Sequence, residues 1–478
     1  MTPGTNVRAR LVFTDEINIH VPQTIEAYAE AEQLLGIYRN LMSTESNRPI
    51  MGIVYDTLSG AYLITYPQHE FERLGQQIEK IVLEQRGHAP GTPKYLELEA
   101  AKTAALARRA VVGERILLDP VVYNQAIAPV VDSPQYLTLY DRLARYGIDP
   151  RSGRGLISAV FPEDFYYLWS DGKGNVVEVK EGVLVRGLLT KETLGTKDGS
   201  MIAEMYKQLG GLVTVDFMSD IQFVVREFLQ QHGLSVGIDD CIPDDPEFRR
   251  QIDSVLTDAS YKVIALAETP SENPIMAERR ERKTLEILEK AKMGTEEILM
   301  KYFKPDNAIL IMANSGAKGT SLNAVQMASA LGQQKVSGRR IQAGLPGNRS
   351  LPVFEPGDKD PRARGFCFNS FVTGLEPSEF FFHAQGGREG LTDTAVNTAR
   401  TGFLQHQIIK SAEDVHISTD GSVRTADLGI IEFVYGGDGF QASELGTVKI
   451  QGEAVPFFRN LYQLADKINS KYAPRPTI

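Results

Sequence analysis

The spacing of apolar positions changes several times along the chain, and the changes mark out its elements. Up to about Gln68 the pattern favours short strands and turns, clearest in INIHVPQ and PIMGIVYDTLSGAYLITYP, with an amphipathic helix at Thr24 to Leu41 between them. From Glu70 to Gly113 the spacing is helical, broken by the turn GHAPGTP at Gly87 to Pro93. Alternation returns between Gly153 and Gly199, as in NVVEVKEGVLVRGLLT. Helices then dominate. Gly210 to His232 reads as one helix stopped by Gly233, and Asp245-Pro246 opens another that runs to about Glu268. Thr269, Pro270 and Pro274 break it before a charged helix from Ile275 to Phe303, so the pair forms a helical hairpin with a polar outer face. A shorter helix is expected at Leu322 to Gln334.

The last long segment departs from these patterns. It starts near Pro377, a good first-turn residue, and runs to about Glu413, which makes it roughly 55 Å long at 1.5 Å per residue. Its middle, AQGGREGLTDTAVNTARTGFLQ from Ala384 to Gln405, holds four glycines and few large apolar residues. Thr394, Thr398 and Gly402 recur every fourth residue with Ala395 and Ala399 beside them, so one face is a nearly flat stripe of small side chains. Most other faces are polar, as in a helix that crosses a gap. Either another backbone packs on the stripe closely, or something large and flat approaches it.

Composition narrows the picture. A chain of 478 residues exceeds what one hydrophobic core supports, so several subdomains are expected. Apolar content of 42% and charged content of 23% are ordinary for a soluble, intracellular globular protein, and no apolar run is long enough to span a bilayer. Cys241 and Cys367 alone argue against a disulfide framework or a cysteine-based zinc site, and for a reducing compartment. A net charge of −10 argues against a chain that simply coats nucleic acid. From Lys335 to Arg364, however, Lys335, Arg339, Arg340, Arg349, Lys359, Arg362 and Arg364 outnumber Glu355, Asp358 and Asp360. That stretch is either a solvated loop or a local phosphate-facing surface.

Three motifs carry candidate chemistry. Gly233-Leu234-Ser235-Val236-Gly237 matches a hydrolase nucleophile elbow in letters, but a helix precedes it where the elbow needs a strand, so a helix end and a turn are expected. Asp239, Asp240, Asp244 and Asp245 fit no Ca²⁺ loop and read as turn and capping residues. Asn314-Ser315-Gly316-Ala317-Lys318-Gly319-Thr320-Ser321 lacks the Walker spacing; Lys318 between glycines could reach a phosphate, or the stretch is a turn into the next helix. His383, after Phe380 to Phe382, reads as a partly buried, satisfied histidine.

In order, DEINIHVPQ, SNRPIMGIVYDTLSG, GLSVGIDD, GAKGTSLNAVQMASALGQQKVSGRRI and EFFFHAQGGREGLTDTAVNTARTGF resemble the largest subunit of multisubunit DNA-dependent RNA polymerases of the archaeal, eukaryotic and large-DNA-virus type. The resemblance runs from about Asp15 to Gly439 and is weaker between Phe71 and Gly153. It implies an α+β, multi-subdomain, helix-rich fold with six segments: 1–68 a remnant of the active-site domain, 69–209 a pore region, 210–309 a funnel helical hairpin, 310–376 a connector lining the cleft, 377–413 the bridge helix, and 414–478 the start of the next cleft domain. By the same resemblance, Thr398 and Ala399 lie against the template base that pairs with the incoming nucleotide, and Arg388 and Phe403 also face nucleic acid, Phe403 standing where the family usually has Tyr. Lys318 matches the lysine that approaches the nucleoside triphosphate. The implied partners are a second-largest polymerase subunit, separate chains supplying the N- and C-terminal parts of the largest subunit, the DNA template and RNA–DNA hybrid, and nucleoside triphosphates, with no membrane.

Two departures from the family pattern matter. Where the family has Asn-Ala-Asp-Phe-Asp-Gly-Asp, this chain reads Ala9-Arg10-Leu11-Val12-Phe13-Thr14-Asp15, so only Asp15 keeps a carboxylate for Mg²⁺, and the other ligands are expected outside this chain. The family's mobile trigger loop is expected beyond Ile478, near where archaeal members divide the subunit. A subunit divided among several chains, a metal-less regulatory paralogue and a displaced reading start each fit, and the kept small stripe favours the first. The chain alone is expected to be inactive.

Overall fold

The computed structural model describes residues 20–43, 46, 48–88, 91–172, 175–243, 245–269, 273–304, 306–437, 439, 445–450, 453–458, 465 and 469. Two compact units emerge: the described residues of Met1–Gly233, Ser315–Ala317 and Val434–Ile478, and those of Leu234–Asn314 and Lys318–Phe433.

The first unit begins with α1 (Ile25–Gln33), capped by the Thr24 hydroxyl, and continues with α2 (Tyr55–Gln85), α3 (Pro93–Glu114), α4 (Pro120–Ile127), α5 (Leu139–Arg145) and α6 (Gly153–Ser158). An antiparallel sheet in the order β1-β2-β3 (Tyr167–Ser170, Val176–Lys180, Val183–Arg186) follows, then α7 (Met201–Leu209) and α8 (Gly211–His232). Leu58, Ala61 and Ile64 of α2, Leu156 and Ile157 of α6, Val177 and Val179 of β2, and Phe217, Ile221 and Val224 of α8 meet in one core. A buried guanidinium ties helix to sheet there. Arg154 donates to both carboxylate oxygens of Glu72, at 2.7 and 2.9 Å, and to the Val185 carbonyl at 2.9 Å.

Residues 55–67, read as strand from their Ile, Val, Thr and Tyr content, are the first half of the 31-residue α2. Burial overrides β propensity here: Leu58, Ala61, Tyr62 and Thr65 line one helical face, and a Cβ on Gly60 would come within 2.3 Å of Val225 Cγ1 on α8. The small Ser59-Gly60-Ala61 run is the seat of a close helix crossing. The expected helix at Thr24 to Leu41 is shorter, with α1 followed by a single 3₁₀ turn at Ile37–Arg39. In the β-like stretch, α6 precedes the sheet. Of INIHVPQ, only His20 to Gln23 is among the described residues, and it forms no strand.

The second unit is built on a hairpin of α9 (Pro246–Glu268) and α10 (Pro274–Tyr302), as the sequence indicates. Its seam is read directly: Phe248, Ile252, Leu256, Ala259 and Val263 face Thr284, Leu288, Ala291, Thr295 and Leu299, each row on one side of its helix. Asp245 accepts from Glu247 N at 2.8 Å as N-cap of α9, and Asp240 accepts from Gly237 N and Ala308 N, so the acids do turn and capping work. Asp244 lies outside the described residues. Gly233, at φ 69, ends α8 as expected, and a helix, not a strand, precedes Ser235. After α11 (Ala308–Ser315), α12 (Ser321–Ala328) stops six residues before the expected Gln334, because Gly332–Gln333 instead forms β4, paired with β7 (Phe366–Cys367). A hairpin of β5 (Lys335–Val336) and β6 (Arg339–Arg340) lies between them in sequence. The long α13 (Pro377–Ala412) and the small antiparallel sheet of β8 (His416–Ile417), β9 (Val423–Arg424) and β10 (Ile430–Glu432) complete the unit. The first unit also holds the paired strands β11 (Leu445–Ile450) and β12 (Glu453–Phe458).

Gly153 tests the α2–α6 packing, since a Cβ there would sit 1.8 Å from the Ile64 carbonyl oxygen, a backbone atom that cannot move aside. Gly153→Ala should cost about 3 kcal/mol in denaturant unfolding. Gly294→Ala, whose Cβ would meet only Val255 Cγ1 at 3.5 Å, should stabilise by up to about 1 kcal/mol.

Candidate nucleic-acid interface

The base of α13 is firmly held. Pro377 takes the first helical position, and Glu379, third in the helix, is buried at 3% exposure. Its Oε1 accepts from Phe368 N at 2.7 Å and Asn369 N at 3.2 Å; its Oε2 accepts from Asn369 Nδ2 at 2.9 Å and Glu376 N at 3.0 Å. Four donors thus surround one buried carboxylate. Phe382, also buried, stacks on Phe354 at 6.2 Å between centroids. His383 is partly buried, with Nδ1 3.2 Å from Gln334 Oε1 and its ring edge-on to Phe371, which matches the satisfied histidine expected of it.

One turn further on, Gly386 passes the Lys335 carbonyl, which a Cβ would approach to 3.4 Å. Glu389 then reaches the β5–β6 hairpin, its two oxygens accepting from Ser337 N at 2.7 and 2.8 Å and Oε1 accepting from Ser337 Oγ at 2.9 Å. From residue 390 to 412 every residue of α13 is exposed.

Thr398, Ala399, Phe403 and Arg388 all lie on α13 and are exposed, Phe403 at 63%. The threonine hydroxyls turn inward: Thr394 donates to Gly390 O at 2.8 Å, Thr398 to Thr394 O at 2.7 Å, and Thr401 to Asn397 O at 2.7 Å. Each is thereby satisfied by its own helix, and the stripe offers methyl groups outward more than free hydroxyls. At Gly387, Gly390 and Gly402 an added Cβ would meet nothing within 4 Å. No packing among the described residues demands small residues there.

Lys318 stands on a separate exposed loop between α11 and α12, flanked by Gly316 at φ 77 and Gly319 at φ 73. Asn323 Oδ1 accepts from Thr320 N at 2.9 Å and fixes where that loop enters α12. The basic stretch is largely committed to local contacts: Lys335 pairs with Glu289 at 2.8 Å, Arg340 with Glu281 at 3.4 Å, and Arg362 lies over the Phe368 ring at 4.5 Å.

Asp15 lies outside the described residues, as do Leu11 and Phe13. Among the described residues no three His, Cys, Asp or Glu side chains converge as a metal would require. No helix among the described residues is long and apolar enough to cross a membrane.

Glu379, Glu389 and Ser337 were not singled out by sequence reasoning. Two signals pointed to them: Glu as the third residue of a helix opened by Pro, and Ser-Gly between two short β-like runs.

Cys367 lies beneath this base, and burial, then the charge of Glu379, push its thiol up to about 12 from an ordinary 9.0. It should resist iodoacetamide at pH 8 in the folded chain and react on unfolding, as peptide mass spectrometry would read. Because the folded value is raised, its contribution to stability is complete below pH 9 and is lost as the pH rises towards about 12.

Three family models match the chain: RNA polymerase Rpb1, domain 3, at residues 40–241, domain 4 at 265–367 and domain 5 at 374–464. DNA-directed RNA polymerase III subunit RPC1 of Saccharomyces cerevisiae is 32% identical over 455 residues, covering 92% of this chain and 29% of that protein. DNA-directed RNA polymerase subunit Rpo1N of Halobacterium salinarum is 30% identical over 432 residues, covering 89% of this chain and 39% of that protein. The chain therefore spans between 29% and 39% of the length of these relatives. With domains 3, 4 and 5 matched in order around a helix-rich fold with small sheets, the chain belongs to the family of largest subunits of DNA-directed RNA polymerase.

Proposed function

We propose that this chain is a working part of a DNA-directed RNA polymerase, in which α13 is the bridge helix and its small stripe is a sliding surface for the template base at the active centre. The observation that carries the reading is the run 390–412, helical and wholly exposed, whose glycines and inward-bonded threonines answer to nothing else among the described residues. A flat base can lie against Thr398 and Ala399; a branched or aromatic side chain there would occupy its place. Leu391 at 76% exposure, Phe403 and Ile409 are large apolar groups left in water, which suits a helix covered by other polymerase parts on assembly.

In the same reading, residues 69–209 shape the nucleotide-entry pore, the α9–α10 hairpin is the funnel, and Lys318 reaches the triphosphate of the incoming nucleotide with a charge-assisted contact. A second large subunit and separate chains carrying the rest of the largest subunit, including the carboxylates for Mg²⁺, complete the enzyme, and this chain alone is inactive. The metal-less regulatory paralogue is favoured only by Leu11 and Phe13.

In a polymerase purified natively with this chain, Thr398→Trp should leave the subunits together and slow nucleotide addition about tenfold or more, as misplacing a reactant does. Unchanged elongation would remove the sliding-surface role, and co-purification with a polymerase that has its own intact largest subunit would favour the paralogue. Lys318→Met should raise the KM for nucleoside triphosphates about tenfold, since a hydrogen bond to a charged group contributes roughly 1.5–3 kcal/mol.

A further inference from the structure

Beyond residue 389 every residue of α13 up to Ala412 is exposed, so the contacts that direct the exposed run lie below it. Phe382 and His383 hold the first turns against Phe354, Gln334 and Phe371, and two carboxylates bracket them. Glu379 locks the first turn to residues 368–369, and Glu389, ten residues or about 15 Å further along, is tied to the β5–β6 hairpin. One clamp fixes a point; two fix a line.

The hairpin tip is built to receive the second clamp. Val336 pairs with Arg339, leaving a two-residue loop in which Ser337 has φ 53 and Gly338 φ 73, the left-handed pair of a type I′ turn. In such a turn the N–H of the first loop residue takes no part in the strand ladder and points away from the hairpin. Glu389 accepts that N–H with both oxygens and the Ser337 hydroxyl with one. The hairpin is itself held, through Lys335 to Glu289 and Arg340 to Glu281 on α10. A short chain of contacts thus runs from the helical hairpin through a rigid turn to α13.

We infer that Glu389 is a positioning residue for nucleotide addition: by holding α13 against the Ser337 turn, it fixes where the Thr398–Ala399 surface stands. Thr398 lies nine residues, about 14 Å, past the clamp, nearly as far as the two clamps lie from each other. If Glu389 lets go, α13 pivots about the contacts of Glu379 to His383, and a displacement at Glu389 is roughly doubled or more at Thr398. The inference rests on the proposed role of α13.

The test is single-nucleotide addition by the natively assembled polymerase carrying Glu389→Ala, Glu389→Gln, Ser337→Ala, Thr398→Trp, or Glu389→Ala with Thr398→Trp. Glu389→Ala should slow kcat about tenfold with assembly and template affinity unchanged, in line with the effect of small misplacements on rate. Glu389→Gln, which keeps an acceptor for the Ser337 N–H, should recover most of the rate, and Ser337→Ala, which loses only the hydroxyl contact, should cost about twofold. The double variant should be no slower than Thr398→Trp alone, because both changes act at one surface. If Thr398→Trp slows addition but Glu389→Ala does not, or lowers only the amount assembled, the positioning role is overturned while the bridge-helix reading stands. If Thr398→Trp itself has no effect, both fall.

Discussion

A helix of 36 residues that leaves everything after its first few turns in water must take its direction from those turns. In this chain the constraint falls on the buried carboxylate of Glu379. Burying an unpaired charge costs several kcal/mol, so the site is stable only with its donors in place. Two backbone N–H groups of the segment before the helix, one amide side chain and the helix's own cap supply them. The same four bonds satisfy donors that the segment after β7 and the helix start would otherwise leave open. Charge, cap and chain reversal are therefore one feature.

The first unit solves a similar problem in another way. Arg154 is as buried as Glu379, and its guanidinium meets Glu72 through two parallel bonds while a third goes to the Val185 carbonyl. Where two helices need to approach more closely than side chains allow, the chain uses glycine: Gly60 under α8 and Gly153 against the Ile64 carbonyl. On the exposed run of α13 the glycines have a different cause. Nothing in the described chain presses on Gly390 or Gly402, and each lowers the helix's own stability by up to about 1 kcal/mol relative to alanine.

Much of the second unit was legible in the sequence. The α9–α10 hairpin follows from its two apolar stripes and its Asp-Pro and Asn-Pro starts, and the bounds of α13 follow from Pro377 and its unbroken helical spacing. That Thr398 and Ala399 lie on an uncored face of α13 was legible as well, because they fall in a pattern of small residues that no core requires. The start of α2 was not legible. Ile, Val, Thr and Tyr between 49 and 67 carry strand propensity, and the few tenths of a kcal/mol per residue that separate the two states yield to burial against α8. Nor was the early end of α12, which depends on β4 finding its partner at β7, more than thirty residues away.

The sequence by itself determined which segments are helical hairpin and long helix, and that one face of the long helix is small, since both are written in local periodicity and in residue size. Only the tertiary structure decided that this face is left uncovered by the described chain, that Ser337 offers a spare N–H, and that Glu379 and Glu389 anchor the helix. Those facts depend on pairs such as Glu389 and Ser337 or Glu379 and Phe368, which no local pattern joins: a carboxylate on a helix looks the same in sequence whether it faces water or a turn folded back from fifty residues earlier.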